Sequence, residues 1–331
     1  MSLSPPLLLL HLLADRKLNP GALLLAFGDG DSDALAPLLA DAEFAALTAS
    51  IPCLIEDADA DRLSPDALAS LQASGGQLVA GTTIFAANDQ ENPALPADTT
   101  WLRGDWYMVQ PTKVTGSQAV SRTLALKLVQ LVTTDADTRE IEDIFRRDPT
   151  LSYHLLRLVN SLSMGTGKRI ASFSQAILIL GRSQLKRWLN LMLFSARKDD
   201  PRAGMLLARV AVRARSMELL AKAVGSDKAG QELAFMAGMF SLLGILFGMP
   251  LAEVLKPLQV SEPLENAVLH RENDLGRLLQ TVESAERADP LELAERLAAL
   301  QLPADAFNRI SLEAHQWMLS ITRNHQDGSD A

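Results

Sequence analysis

The chain of 331 residues has one cysteine, two tyrosines and five histidines. A lone cysteine excludes an intrachain disulfide, which fits a reducing compartment. Cys53 lies within the apolar run Ile51-Pro52-Cys53-Leu54-Ile55. Reactive thiols need polar, electropositive surroundings, so Cys53 reads as a buried structural thiol. None of His11, His154, His270, His315 and His325 has a neighbouring His or Asp at ligand spacing, and no cysteine pair exists to complete a zinc site. A P-loop lysine and a full dinucleotide fingerprint are also missing. The turn Gly28-Asp29-Gly30-Asp31 follows an apolar run, but its acids would repel a phosphate.

The remaining chain is rich in packing material. Hydrophobic residues make up 48% of it, with leucine and alanine prominent, which favours helix. From Leu233 to Ala252 no residue is charged, a length that could cross a bilayer. Gly238, Gly244, Gly248 and Pro250 interrupt the run and no basic cluster flanks it, so a buried central helix in a cytoplasmic protein is expected rather than a membrane span. The opening MSLSPPLLLLHLLADRK has a short apolar run with nothing basic before it, and is expected to belong to the fold.

The net charge of −9 conceals an asymmetry. Residues 1–110 hold 15 acidic and four basic residues; residues 146–215 hold 14 basic and three acidic ones. Two parts that attract each other, or a basic face kept for an acidic partner, would explain this. General nucleic-acid binding does not fit an acidic chain.

The first hundred residues alternate between strand and helix signals, implying an α/β layer with parallel strands. Strands are expected at Gly21–Phe27, Ile51–Ile55, Gln77–Phe85 and Trp101–Val109, with a helix over Asp33–Ser50 and another opened by Ser64 as cap and Pro65 at the first position. Gly75-Gly76 ends that second helix, and residues 86–100 read as a surface loop. Beyond Pro111–Gly116 only helical patterns remain, with long helices expected near 202–224, 229–247, 264–287 and 290–322 and a frayed tail from Asn324.

Two sets of side chains invite chemistry. Asp29, Glu56 and Asp57 follow strand-like runs, where catalytic carboxylates are often placed. Lys168, Arg169, Arg182, Lys186, Arg187 and Trp188 combine basic groups with an aromatic, the make-up of a phosphate- or acid-binding surface.

The segments Phe145-Arg146-Arg147-Asp148-Pro149-Thr150-Leu151-Ser152-Tyr153-His154-Leu155-Leu156-Arg157-Leu158-Val159-Asn160-Ser161 and Ser174-Gln175-Ala176-Ile177-Leu178-Ile179-Leu180-Gly181 resemble the HDOD domain, an all-helical relative of metal-dependent HD phosphohydrolases found in bacterial signalling proteins. The HD enzymes carry a His-Asp pair followed by a glycine. Setting Gly244 on that glycine puts Ser241 and Leu242 where the pair would stand. Leucine cannot ligate a cation and one serine is a poor ligand, so the resemblance implies a scaffold without its hydrolytic chemistry. The stretch Gly104-Asp105-Trp106-Tyr107-Met108-Val109-Gln110-Pro111 resembles the last strand of EAL domains, the barrel phosphodiesterases of cyclic di-GMP, and Arg182–Trp188 fits the HDOD version joined to degenerate EAL regions. About 110 residues precede the junction, too few for a barrel of about 250.

The expected fold is α+β in two domains: a shortened EAL-like α/β region over 1–111 with a short parallel-type sheet, and an all-helical HDOD bundle over 117–290. A helical extension over 291–323 and a flexible tail over 324–331 complete it. The expected function is non-enzymatic bacterial signalling through protein–protein contact, without a cofactor. Its acidic N-terminal region would dock on the basic helices around Lys186 and Arg187. The rivals are a cyclic-dinucleotide phosphodiesterase using Asp29, Glu56 and Asp57, and a nucleotide receptor using Lys186, Arg187 and Trp188.

Overall fold

The computed structural model describes residues 6–87, 93, 95–109, 130, 187, 191, 200–258 and 260–326. Strand β1 (Leu8–Ala14) turns back into β2 (Pro20–Phe27) as an antiparallel hairpin. The Asp15 carboxylate accepts from the backbone N–H of Lys17 at 2.8 Å and of Asn19 at 2.9 Å, which closes the turn. Strands β3 (Cys53–Glu56) and β4 (Gln77–Val79) add in parallel beyond β2. On the other side β6 (Trp101–Arg103) pairs antiparallel with β1, and β5 (Ile84–Ala86) pairs parallel with β6.

The strand order is β4-β3-β2-β1-β6-β5, so the sheet is mixed rather than purely parallel. The leucine run at the start of the chain supplies the reversed central strand. The expected strand Gln77–Phe85 is in fact two, separated by a 3₁₀ turn at Gly81–Thr83, and the two lie at opposite edges. The five Cα–Cα steps from Val79 to Ile84 can span at most about 18 Å. A flat six-stranded sheet is about 24 Å wide at the usual strand spacing. The sheet therefore has to curl to bring its edges within reach of this short connection.

Four short helices accompany the strands: α1 (Ala36–Leu39), α2 (Ala42–Thr48), α3 (Asp57–Ala60) and α4 (Pro65–Ala73). The helix expected over Asp33–Ser50 is broken because Asp41 leaves the helical conformation and its carboxylate caps α2 by accepting from Glu43 N. Ser64 caps α4 as expected, with Gly75 just beyond its end in the left-handed region at φ 93°. Trp101–Val109 is a strand only to Arg103. Gly104, at φ 113°, turns the chain into a 3₁₀ turn at Trp106–Met108, whose Trp106 and Tyr107 are buried.

Among the described residues the helical part includes α5 (Ala203–Ala223), α6 (Lys228–Phe240), α7 (Leu243–Phe247), α8 (Leu251–Leu255), α9 (Glu262–His270), α10 (Asn273–Glu286), α11 (Pro290–Ala299) and α12 (Ala304–Gln326). Helix α5 is the axis of this part; α6, α10 and α12 all pack on it. At Gly238 of α6 an added Cβ would stand 2.6 Å from Ala214 Cα of α5, so the absence of a side chain there lets the two helices approach closely. The apolar stretch Lys228–Phe247 has a mean hydropathy of 1.5 and is long enough to cross a membrane, yet 72% of its most apolar window is buried inside the fold.

One apolar cluster runs from Leu8 and Leu25 of the sheet through Met217 of α5 to Ile321 of α12. A smaller cluster of Leu13, Ala22, Leu24, Leu54 and Ile84 completes the sheet. The fully buried Asn308 of α12 accepts from Leu8 N at 2.8 Å and donates to Pro6 O at 2.9 Å, serving the chain just before and at the start of β1.

Candidate functional site at the seam of sheet and helices

Helix α5 carries Arg209 and Arg213 one turn apart, so both project from the same face. Helix α10 answers with Glu283 and Glu286, three residues apart. Arg213 Nε donates to Glu286 Oε1 at 2.9 Å, and a second guanidinium nitrogen pairs with Glu286 Oε2. Glu283 pairs with Arg271 at 2.7 Å and lies 3.8 Å from Arg213. Arg209 donates to Tyr107 Oη and to Asp105, each at 2.8 Å, and its guanidinium lies 5.5 Å from the Tyr107 ring centre. Arg202, at the start of α5, is anchored by Asp200 at 2.7 Å and donates to the carbonyls of Tyr107 and Val109. The turn at 105–109 is thus gripped by two arginines of one helix.

The charges in this network hold each other ionised. Burial would lower the pKa of Arg213, but the Glu286 and Glu283 charges more than offset it and raise it. Burial would likewise raise Glu286, yet Arg213 and Arg209 keep its carboxyl below the usual range. Tyr107 is pushed up to about 12, chiefly by burial, and stays a neutral phenol.

Ser241 and Leu242 close this network from the α6 side. Arg213 Nη1 donates to Ser241 Oγ at 2.8 Å, while the Ser241 hydroxyl donates to Gly238 O at 2.7 Å. Leu242 is 1% exposed and belongs to the apolar cluster. A divalent cation does not fit here: one candidate ligand is already held by a guanidinium, whose charge would repel the metal, and the other is hydrocarbon. Among the described residues no group of three or more His, Cys, Asp or Glu side chains is disposed to hold a metal ion.

The other sequence candidates are dispersed. Asp29 pairs with Arg62 at 3.1 Å and Glu56 with Arg103 at 2.8 Å, while Asp57 sits in the first turn of α3. Cys53 is buried and its thiol is pushed up to about 12 by desolvation, as expected of a structural cysteine. Lys168, Arg169, Arg182, Lys186 and Trp188 lie outside the described residues.

Arg187 corrects one expectation. It is only 9% exposed, so it is not a member of an open basic surface. Its guanidinium donates to Glu232 at 2.8 Å and Glu218 at 2.9 Å and stacks 4.3 Å from the centre of the Phe235 ring. Its charge is spent inside the helical part, on acids of α5 and α6, rather than on acids of the N-terminal region. Among the described residues, the arginines of the helical part that meet N-terminal acids are Arg209, on Asp105, and Arg309, 3.5 Å from Asp41. Sequence reading missed Arg209, Arg213, Glu283 and Glu286; the signal was two arginines one turn apart in an otherwise buried helix.

The HDOD domain model matches residues 121–269. The chain is 28% identical over 241 residues to the cyclic di-GMP phosphodiesterase CdgJ of Vibrio cholerae, covering 71% of this chain and 54% of that protein. It is 27% identical over 181 residues to YuxH of Bacillus subtilis, covering 54% of this chain and 43% of that protein. The chain therefore spans about half the length of the curated relatives it matches. A solved chain from Shewanella amazonensis SB2B aligns with 61% of this chain and 93% of its own, at 14% identity and a TM-score of 0.42. Residues 121–269 therefore carry an HDOD domain, a signalling module from the catalytically inactive branch of the HD superfamily, and the packed helices α5–α9 are described helices of that segment.

Proposed function

We propose that the protein is a non-enzymatic regulatory component of bacterial signalling that works in the cytoplasm by protein–protein contact. In this reading the α/β region is held against the HDOD domain by its own acids, and the remaining basic side chains, Lys168, Arg169, Arg182, Lys186 and Trp188 beside them, face an acidic protein partner. The observation that carries the reading is the Arg213–Ser241 hydrogen bond beside the buried Leu242. With Gly244 set on the glycine of the HD enzymes, this pair leaves a cation and a hydrocarbon at the positions where hydrolytic relatives would need ligands.

Reading the α/β region as a shortened, catalytically silent EAL-like remnant rests on the resemblance of residues 104–111 to the last strand of EAL domains, and the match to CdgJ extends over 241 residues. That match supports a place in cyclic di-GMP-linked signalling. Catalysis is not carried over with it, since the chain covers 54% of that relative and Glu56 is committed to Arg103.

The contact between regions is testable through Asp105, which is half exposed and meets the more buried Arg209. Asp105→Arg is expected to speed amide hydrogen exchange at 106–109 and in β1, and adding Arg209→Glu is expected to restore part of the protection. Exchange unchanged by reversal and insensitive to salt would contradict the docking. The same full-length preparation is expected not to turn over cyclic di-GMP; hydrolysis lost on Glu56→Ala would contradict the non-enzymatic reading.

A further inference from the structure

A cavity of about 610 Å³ opens between the sheet and the helices. That volume is in the range of small-molecule sites, about 300–1,000 Å³. Leu9 of β1 and Leu24 and Ala26 of β2 floor it from one face of the sheet, since Leu9 pairs with Ala26. Helix α5 brings Val212 and Ser216 to it, four residues apart, and α12 brings Phe307 and Ser311 at the same spacing. Val282 and Ala285 of α10 add to this wall.

Much of the remaining lining is charged. Glu56, Asp59, Asp105 and Glu286 line the space with Arg103, Arg209 and Arg287, four carboxylates against three guanidinium groups. Each is paired: Glu56 with Arg103, Asp105 with Arg209, Asp59 with Arg62, Glu286 with Arg213, and Arg287 with Glu292. An incoming anion would meet the acidic excess, and an incoming cation would compete with an arginine already in place. The pairs nevertheless leave hydrogen-bonding capacity unspent. Of the five N–H donors on a guanidinium, Arg103 gives Glu56 one, from Nη1 at 2.8 Å, and Arg287 gives Glu292 one. Asp105 meets Arg209 through Oδ1 and keeps Oδ2. Thr281 and Ser284 of α10 return their hydroxyls to the carbonyl four residues back, the usual resort of a helical hydroxyl. Ser216 and Ser311 do not: they are 7% and 8% exposed, and their hydroxyls make no hydrogen bond among the described residues.

A buried hydroxyl left unpaired costs free energy that a bound polar group recovers. Hydroxyl groups both donate and accept, which suits a wall offering spare N–H groups, a spare carboxylate oxygen and two unpaired hydroxyls. We propose that this cavity binds an uncharged sugar, whose hydroxyls engage Ser216, Ser311, Arg103 and Asp105 and whose C–H face rests on Val212, Val282 and Phe307. The ion pairs stay intact when it enters. Such a ligand touches β1, β2, α5, α10 and α12 together, so its binding tightens the seam between the α/β region and the helices and makes that seam responsive to the sugar.

The test is isothermal titration calorimetry of the full chain with glucose, maltose and trehalose. At least one of them is expected to bind at one site per chain, with an affinity that added salt leaves unchanged, because no net charge enters. Replacing both hydroxyls, Ser216→Ala with Ser311→Ala, is expected to weaken that binding about tenfold, the effect of losing two hydrogen bonds of ordinary strength. The melting temperature of the unliganded double variant is expected to hold or rise, because the hydroxyls serve nothing in the empty cavity; a structural role would lower it. Inorganic phosphate and cyclic di-GMP are expected not to displace the sugar. No heat from any of the three sugars at millimolar concentration, unchanged affinity or a lower melting temperature in the double variant, or displacement by either anion would overturn the proposal.

Discussion

Arg213 carries more of the structure than any charge expected from the sequence. It is 5% exposed and serves Glu286, Glu283 and Ser241 at once. Removing one partner of a buried ion pair leaves the other charge uncompensated, which typically costs about 3–5 kcal/mol. Arg213→Met is therefore expected to lower stability by about that amount in chemical denaturation, and Arg213→Met with Glu286→Gln by much less than the sum of the two single changes. Additive losses would show that the pair is not coupled. Ser241 was legible in sequence as a poor metal ligand. Its arginine partner was not, because Arg213 lies 28 residues away and only the α5–α6 packing brings them together.

At the scale of elements, local signals predicted what local chemistry controls. The Ser64–Pro65 start of α4 and the β2 run needed no tertiary information. The misses were places where a distant segment decides. The helix expected over 264–287 breaks at Arg271, left-handed at φ 61°, because the chain folds back so closely that a Cβ on Gly276 would lie 2.3 Å from Arg271 C. The one over 290–322 breaks at Gln301, φ 56°, ahead of Pro303. The mixed sheet was hidden because a leucine run has no periodicity to separate strand from helix. The attachment of α12 to β1 rests on Asn308, whose side chain does for Pro6 and Leu8 what a neighbouring strand would do. Asn308→Ala leaves a buried donor and acceptor unserved and opens a small void, so a loss of about 2–4 kcal/mol is expected. A melting temperature within a degree of the parent would contradict this role.

At the scale of the whole molecule, charge and hydrocarbon divide the work. A continuous apolar cluster joins sheet to helices, and arginines of α5 fix the register of the joint at Asp105, Tyr107 and Val109. The opposed charges of the two halves were visible in composition, but their pairing was not: Arg187 turns inward while Arg209 and Arg309 face the N-terminal acids. The measurement closest to the centre of this reading is the metal content of the full chain after equilibration with manganese, iron and zinc followed by gel filtration. Less than about a tenth of an equivalent of any of them is expected to remain, because Arg213 holds Ser241 and Leu242 offers no donor. One equivalent retained by the parent chain and lost on Ser241→Ala would contradict it.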